Sequence, residues 1–182
     1  TFKLLEENIT ENNLKNIKVF NYGLLDENIN LHLGPPQHVN KYMGFFKYFD
    51  KYSLGSKTIY TNEKVIDKSI MSQFVIGDEV NEITSLDKID IIKIDVEGSE
   101  LKVIQGLKKT LTTHKPILCI ETNSGYKNDN NDPSIIFEVL SNIGYSNVID
   151  FSELENISSF KNSEDINNSN FKSIKSKDLV VF

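Results

Sequence analysis

The chain has little of what small disulfide-stapled or metal-stapled proteins depend on. It holds one cysteine, Cys119, and no tryptophan. A single thiol excludes a disulfide framework within the chain, and its place in the apolar run Pro116-Ile-Leu-Cys-Ile120 fits a buried, reduced side chain. Its three histidines, His32, His38 and His114, show no ligand spacing, which argues against a histidine-based structural metal site. Proline and glycine are sparse, at 4 and 9 residues, and no Gly-x-Gly-x-Gly string occurs. No apolar run approaches the roughly 20 residues that cross a bilayer, so no transmembrane segment is expected. No signal peptide opens the chain, and a cytoplasmic location is the expectation. Positive charge is in deficit: 20 Lys and Arg against 26 Asp and Glu give a net charge of −6. A nucleic-acid binder needs a basic face to displace counterions, and no lysine cluster here is dense enough to supply one. Three Asn-x-Ser/Thr triplets, at Asn8, Asn156 and Asn167, carry little weight in a chain so rich in asparagine.

What is present suffices for one core. Hydrophobic residues make up 38% of 182, most naturally a single domain. Phe2 to Asn13 has apolar residues at helical spacing, with Asn12-Asn13 as its stop. Ile17 to Tyr22 reads as a short strand, Gly23 to Glu27 as the turn after it, and Ile29 to Leu33 as an alternating strand. Residues 34–74 read as an irregular, aromatic-rich insert or flap, and Phe74 to Ile83 is expected to contain a short strand. Ile89 to Ile94 is a β-branched run of the kind found in buried parallel strands. A helix is expected over Glu100 to Thr113, capped by Ser99 or Asp95, with Lys108 and Lys109 near its C-terminus where they suit the dipole. A second buried strand is expected at Ile117 to Ile120 and a helix from Asp132-Pro133 to Ile143, stopped by Gly144. Strands at Val148-Ile149 and Asp178 to Phe182 close the chain around a polar surface excursion at 152–176. The alternation predicts an α/β fold, mostly parallel, with helices on both faces and an antiparallel last strand.

In open α/β sheets ligands sit beyond the carboxyl ends of the strands. Two predicted strand ends carry acids here: Asp95-Val-Glu97-Gly98 and Glu121-Thr-Asn123. Neighbouring parallel strands would set Asp95, Glu97 and Glu121 along one rim, with Gly98 allowing a close turn into a helix whose first N–H groups are free. The plainer alternative is that Asp95 and Glu97 only cap that helix.

The string Ile92-Lys-Ile-Asp-Val-Glu-Gly-Ser-Glu100, then Val103-Ile-x-Gly106 and Lys115-Pro-Ile-x-x-x-Glu121, resembles the central signature of the FkbM-type methyltransferases, which use S-adenosylmethionine and are in many cases O-methyltransferases. Phe2-Lys-Leu-Leu, Gly23-Leu-Leu-Asp26, Ile83-Thr-Ser-Leu-Asp87, Gly144-Tyr145 and the closing Leu-Val-Val-Phe182 are similar to the family's flanking segments. The resemblance implies a Rossmann-like class I sheet of strand order 3-2-1-4-5-7-6. The family's glycine-rich loop and ribose-binding acid lie before the point where this chain starts. The chain is therefore expected to be an N-terminally incomplete methyltransferase domain that lacks the first two strands; its first residue, Thr1, agrees.

The resemblance further implies S-adenosylmethionine as cofactor, with Gly23, Leu24 and Asp26 near the adenine and Asp95 nearest the methyl group. Asp95 and Glu97 are the catalytic candidates, one of them a candidate general base. Glu97, Glu121 and Asn123 are candidates for the acceptor, expected to be a small molecule or glycan whose hydroxyls suit the aromatic and amide-rich segments 37–74 and 123–132. A divalent metal bridging Asp95 and the acceptor stays open, as does oligomeric state. Two other readings stand beside this one: a metal-dependent glycosyltransferase with Asp95-Val-Glu97 as its metal motif, and an inactive methyltransferase-like interaction module.

Overall fold

The structure is a computed structural model that describes residues 2–34, 58–60, 70–96, 98–122, 133–150 and 178–182. It divides into two compact units, Thr1–Gly23 with Ile29–Phe74, and Leu24–Asn28 with Val75–Phe182.

The first unit opens with helix α1, Phe2–Glu11. It stops where the paired asparagines predict. Asn13 takes a left-handed conformation (φ 52°), its N–H donating to Thr10 O and that of Leu14 to Ile9 O. These two bonds satisfy carbonyls the helix leaves open, and asparagine tolerates the conformation. No residue of α1 is buried, and Leu4 and Leu5 are exposed. Strands β1 (Gly23–Leu25), β2 (Ile29–Gly34), β3 (Thr58–Tyr60) and β4 (Ile70–Ile76) form a sheet in the order β1-β4-β2-β3. β2 pairs antiparallel with both β3 and β4. The stretch read as an irregular insert thus contains β3 and most of β4; its remainder lies outside the described residues.

The strand expected at Ile17–Tyr22 does not form; the strand is β1, where a turn was expected. Ile17 and Phe20 are exposed, so an apolar run here did not guarantee burial. Phe20 instead stacks on Tyr22, ring centroids 5.3 Å apart, with the Lys18 ammonium over the Phe20 ring. Gly23 can pair because it has no side chain: a Cβ there would meet the Phe74 ring at 2.4 Å.

The second unit holds β5 (Ile91–Ile94), β6 (Ile117–Glu121), β7 (Val148–Asp150) and β8 (Asp178–Val181), ordered β5-β6-β8-β7. Only β5 and β6 run parallel among the described pairs; β8 is antiparallel to both β6 and β7. The expectation of a mostly parallel sheet is corrected accordingly, while the antiparallel pairing of the last two strands is as expected. β5 is parallel but buries only Ile94 fully. It stands at the end of the strand order, and Ile91 is 62% exposed.

Helices α3 (Glu100–Gly106), α4 (Lys108–His114) and α5 (Pro133–Asn142) bury one face of this sheet. Ile94, Leu118, Ile120, Val148, Leu179 and Val181 from the strands join Ile104, Leu111, Ile136 and Leu140 from the helices in one core. The alternate residues Ile91 and Ile117 point the other way and are exposed. Among the described residues, then, the helices of this unit cover a single face.

The single helix expected over Glu100–Thr113 is two, broken at Leu107. Gly106 lets the Leu25 backbone come so close that a Cβ would sit 1.9 Å from its carbonyl oxygen. Leu107 lies over Gly77, which has no room for a side chain either. The Asp78 carboxylate then caps α4: it accepts from Lys109 N–H (2.7 Å), Thr110 N–H (2.9 Å) and the Thr110 hydroxyl (2.7 Å). Lys108 and Lys109 therefore open a helix, where the dipole disfavours them, and Asp78 supplies the offsetting negative charge. Asp78 belongs to a 3-10 turn, Gly77–Glu79, that leads into the short helix α2, Asn81–Thr84.

Lys115 ends α4 in a left-handed conformation (φ 48°), and its ammonium donates to the Ile143 carbonyl at the end of α5. Gly144 (φ 91°) and Tyr145 close α5 by N–H bonds to Ser141 O and Leu140 O, the geometry its sequence predicts. The buried Tyr145 hydroxyl donates to Pro116 O at 2.9 Å. Among the described residues no helix is long and apolar enough to cross a membrane.

Candidate functional site

Two of the predicted acids meet at the carboxyl ends of β5 and β6. The ladder pairs Ile94 with Ile120, so the next residues outward, Asp95 and Glu121, stand side by side. Glu121 is among the groups that influence Asp95 electrostatically. Asp95 is about one-third exposed, and the Lys93 ammonium reaches its Oδ2 at 2.7 Å. Lys93 and Asp95 are two apart on a strand and so share a face. That hydrogen bond is the largest influence on Asp95 and lowers its pKa below the ordinary carboxylate value. Partial burial acts in the opposite sense, while the charge of Lys93 and the bond with Glu121 add to the lowering. Asp95 is consequently an anion across the neutral range.

The turn into α3 is built by Gly98 and Glu100. Gly98 has φ 102°, a conformation that only glycine enters readily. Its N–H donates to Glu100 Oε1 at 3.0 Å, and Glu100 is buried to 1% exposure. The cap expected from Ser99 or Asp95 is not made by Ser99, which forms no side-chain cap bond. Asp95 turns to Lys93. Glu100 ties the turn instead. Thr122, one residue past β6, is also buried at 1%.

Glu97 and Asn123 lie outside the described residues. Gly23 packs on Phe74, Leu24 packs against the core of the second unit, and Asp26 pairs with Lys102 of α3 at 3.7 Å. Lys102 also reaches Glu27 at 3.3 Å. None of these three residues is joined to Asp95 by a described contact. Two residues of the site escaped the sequence reading of roles, Lys93 and Glu100. Strand parity was the available signal for the first. For the second it was an acid directly after the expected helix cap. No group of three His, Cys, Asp or Glu side chains among the described residues is arranged to hold a metal ion.

The chain is a mixed α/β fold with acids at two adjacent parallel strand ends and a glycine turn into the following helix, the end of the strands at which open α/β sheets take their ligands. The model of the Methyltransferase FkbM domain family matches residues 4–147, and the chain belongs to that family. No curated protein and no solved structure matches it. The family is one of methyltransferases, and membership in it suggests methyl transfer as the activity class.

Proposed function

We propose that this domain serves S-adenosylmethionine-dependent methylation of a hydroxyl on a sugar, glycan or glycosylated metabolite. The observation that carries the reading is the Lys93–Asp95–Glu121 group at the strand ends, inside the span that matches the family. The order β5-β6-β8-β7 supports it further, because it is the order of the 4-5-7-6 half of a class I methyltransferase sheet.

The residues present fit the methyl end of the cofactor. Asp95 is held as a carboxylate by Lys93, and a fixed anion suits a sulfonium neighbour. When bound, the cofactor would supply an electrophilic methyl group to the acceptor hydroxyl, giving a neutral thioether and releasing the hydroxyl proton to solvent. Asp95 orients what lies beside the rim, and its lowered pKa makes it a weak base. Gly98 and Glu100 fix the backbone that carries it. The acceptor class rests on sequence, on the aromatic and amide-rich stretches at 37–74 and 123–132, whose faces and amides suit sugar hydroxyls.

Calorimetric titration with S-adenosylmethionine and transfer of labelled methyl to candidate glycans test the proposal. Asp95→Asn is expected to lower turnover by at least about a hundredfold, the usual scale for such groups. Near-normal turnover would remove Asp95 from the site. Uptake of a nucleotide sugar with Mn²⁺, and none of S-adenosylmethionine, would overturn the function.

A further inference from the structure

We infer that Glu100 is a positioning residue for the strand-end rim: its buried carboxyl group, bonded to the Gly98 N–H, anchors the chain between β5 and α3 and so holds Asp95 where Lys93 reaches it. The bearing on turnover rests on the methyl-transfer reading; the anchoring of Asp95 does not.

Glu100 is the one acid among the described residues that is buried, at 1% exposure. Burying a carboxyl group is costly unless hydrogen bonds serve it, so its place is set by what it bonds. Its Oε1 accepts the Gly98 N–H at 3.0 Å. The acid of a capping box reaches back out of its helix in the same way. Ser99, directly before α3, forms no side-chain cap bond, so the side-chain tie on this turn comes from Glu100.

Asp95 lies between two fixed points. The β5–β6 ladder reaches Ile94 on one side, and Glu100 holds the Gly98 amide on the other. Gly98, at φ 102°, turns the chain from strand into helix. Lys93 is fixed within β5, paired with Cys119 in the ladder, and its ammonium meets Asp95 Oδ2 at 2.7 Å. The side chains of this ion pair are 71% and 36% exposed, and exposed pairs are weak because two long side chains must be ordered to make them. A backbone held on both sides of Asp95 lowers that ordering cost. The influences that lower the Asp95 pKa, Lys93 first and then Glu121, both come from strands, so they act on Asp95 only while it keeps the line of β5. Lys102, the cation of α3, is turned to Asp26 and Glu27.

The test reads the anchor by NMR in the full chain. The wild-type Gly98 amide should exchange slowly; exchange at the rate of an open loop would overturn the anchor. In Glu100→Ala that amide should exchange at least about tenfold faster, and Asp95 should titrate closer to the ordinary carboxylate value. Loss of a negative charge alone would move Asp95 the other way, so the sign separates anchoring from charge. Glu100→Gln keeps an oxygen for the Gly98 N–H and should restore both readouts. A folded Glu100→Gln that behaves as Glu100→Ala would overturn the proposal, as would a Glu100→Ala chain whose Asp95 titrates as in wild type. If Glu100→Ala does not fold, the wild-type amide and Glu100→Gln decide. Tyr145→Phe serves as a destabilised control and should leave Asp95 unmoved; an equal shift there would reduce Glu100 to a general stability effect and sink the proposal. In turnover assays Glu100→Ala should lower kcat up to about a hundredfold with KM little changed, the scale of misplacing a group by about 1 Å, and Glu100→Gln should recover most of the loss. Unchanged kcat in Glu100→Ala would overturn its bearing on turnover. A wild-type chain that transfers no methyl, yet shows the NMR results, would support the anchoring while removing the function.

Discussion

Tyr145 shows how much one side chain can report. Its hydroxyl is buried and bonded to Pro116 O, and burial pushes its pKa up from 10.0 to about 12. The folded state favours the neutral phenol. The stabilisation from this group is complete below pH 10 and is lost as pH rises toward 12. Phenolate absorbance in a base titration should therefore show one tyrosine ionising late, a component absent in Tyr145→Phe. That variant also leaves a buried carbonyl unserved and should lose about 1–2 kcal/mol in urea unfolding. Asp95 has the opposite sign: its lowered pKa gives a contribution present above the ordinary carboxylate range and lost in more acid solution. At this scale the sequence was informative about identity and silent about partners. Asp95 and Glu121 were legible because both follow apolar runs, and their meeting followed from parallel register. The Lys93 contact needed the side-chain geometry.

At the scale of elements, local signals set the ends of helices better than their continuity. Asn13 and Gly144 stop α1 and α5 where the sequence places them, since left-handed caps are chosen by residue type. The break at Leu107 was not legible, because its causes lie elsewhere in the chain, at Leu25, Gly77 and Asp78. The same holds for β1, which forms at Gly23–Leu25 through a close approach to Phe74 and not from apolar content. Two substitutions test the break. Gly106→Ala gains about 1 kcal/mol of helix propensity but drives a Cβ into the Leu25 carbonyl, and backbone on both sides cannot yield cheaply. Overpacking of about 3 kcal/mol outweighs the gain, so thermal melting should show a net loss near 2 kcal/mol. Asp78→Ala removes three bonds at the start of α4 and should cost about 2 kcal/mol, with Asp78→Asn intermediate in the same melting assay.

At the scale of the molecule, the family match spans both units, while burial is distributed unevenly between them. The core of the second unit gathers β6 and β8 with α3 to α5, and α1 of the first unit buries nothing. Amide exchange follows such differences in local contact. Exchange measured by mass spectrometry should be slowest in β6 and β8 and faster by orders of magnitude in α1. Equal protection in α1 and β6 would contradict the burial described. The parallel β5–β6 pair and the antiparallel close were legible from element order. The exposed face of the sheet was not, since Ile91 and Ile117 are indistinguishable by type from the buried Ile94 and Ile120.

The cap on α4 bears on how the chain reaches this state. Asp78 and the amides it holds are 31 and 32 residues apart, so that loop must close before the helix gains its N-terminal bonds. The basic start of α4 then has little reason to be helical early. The 3-10 turn at Gly77–Glu79, α3 and α4 are bound to consolidate together, as one cooperative step rather than as a hairpin-like local nucleus.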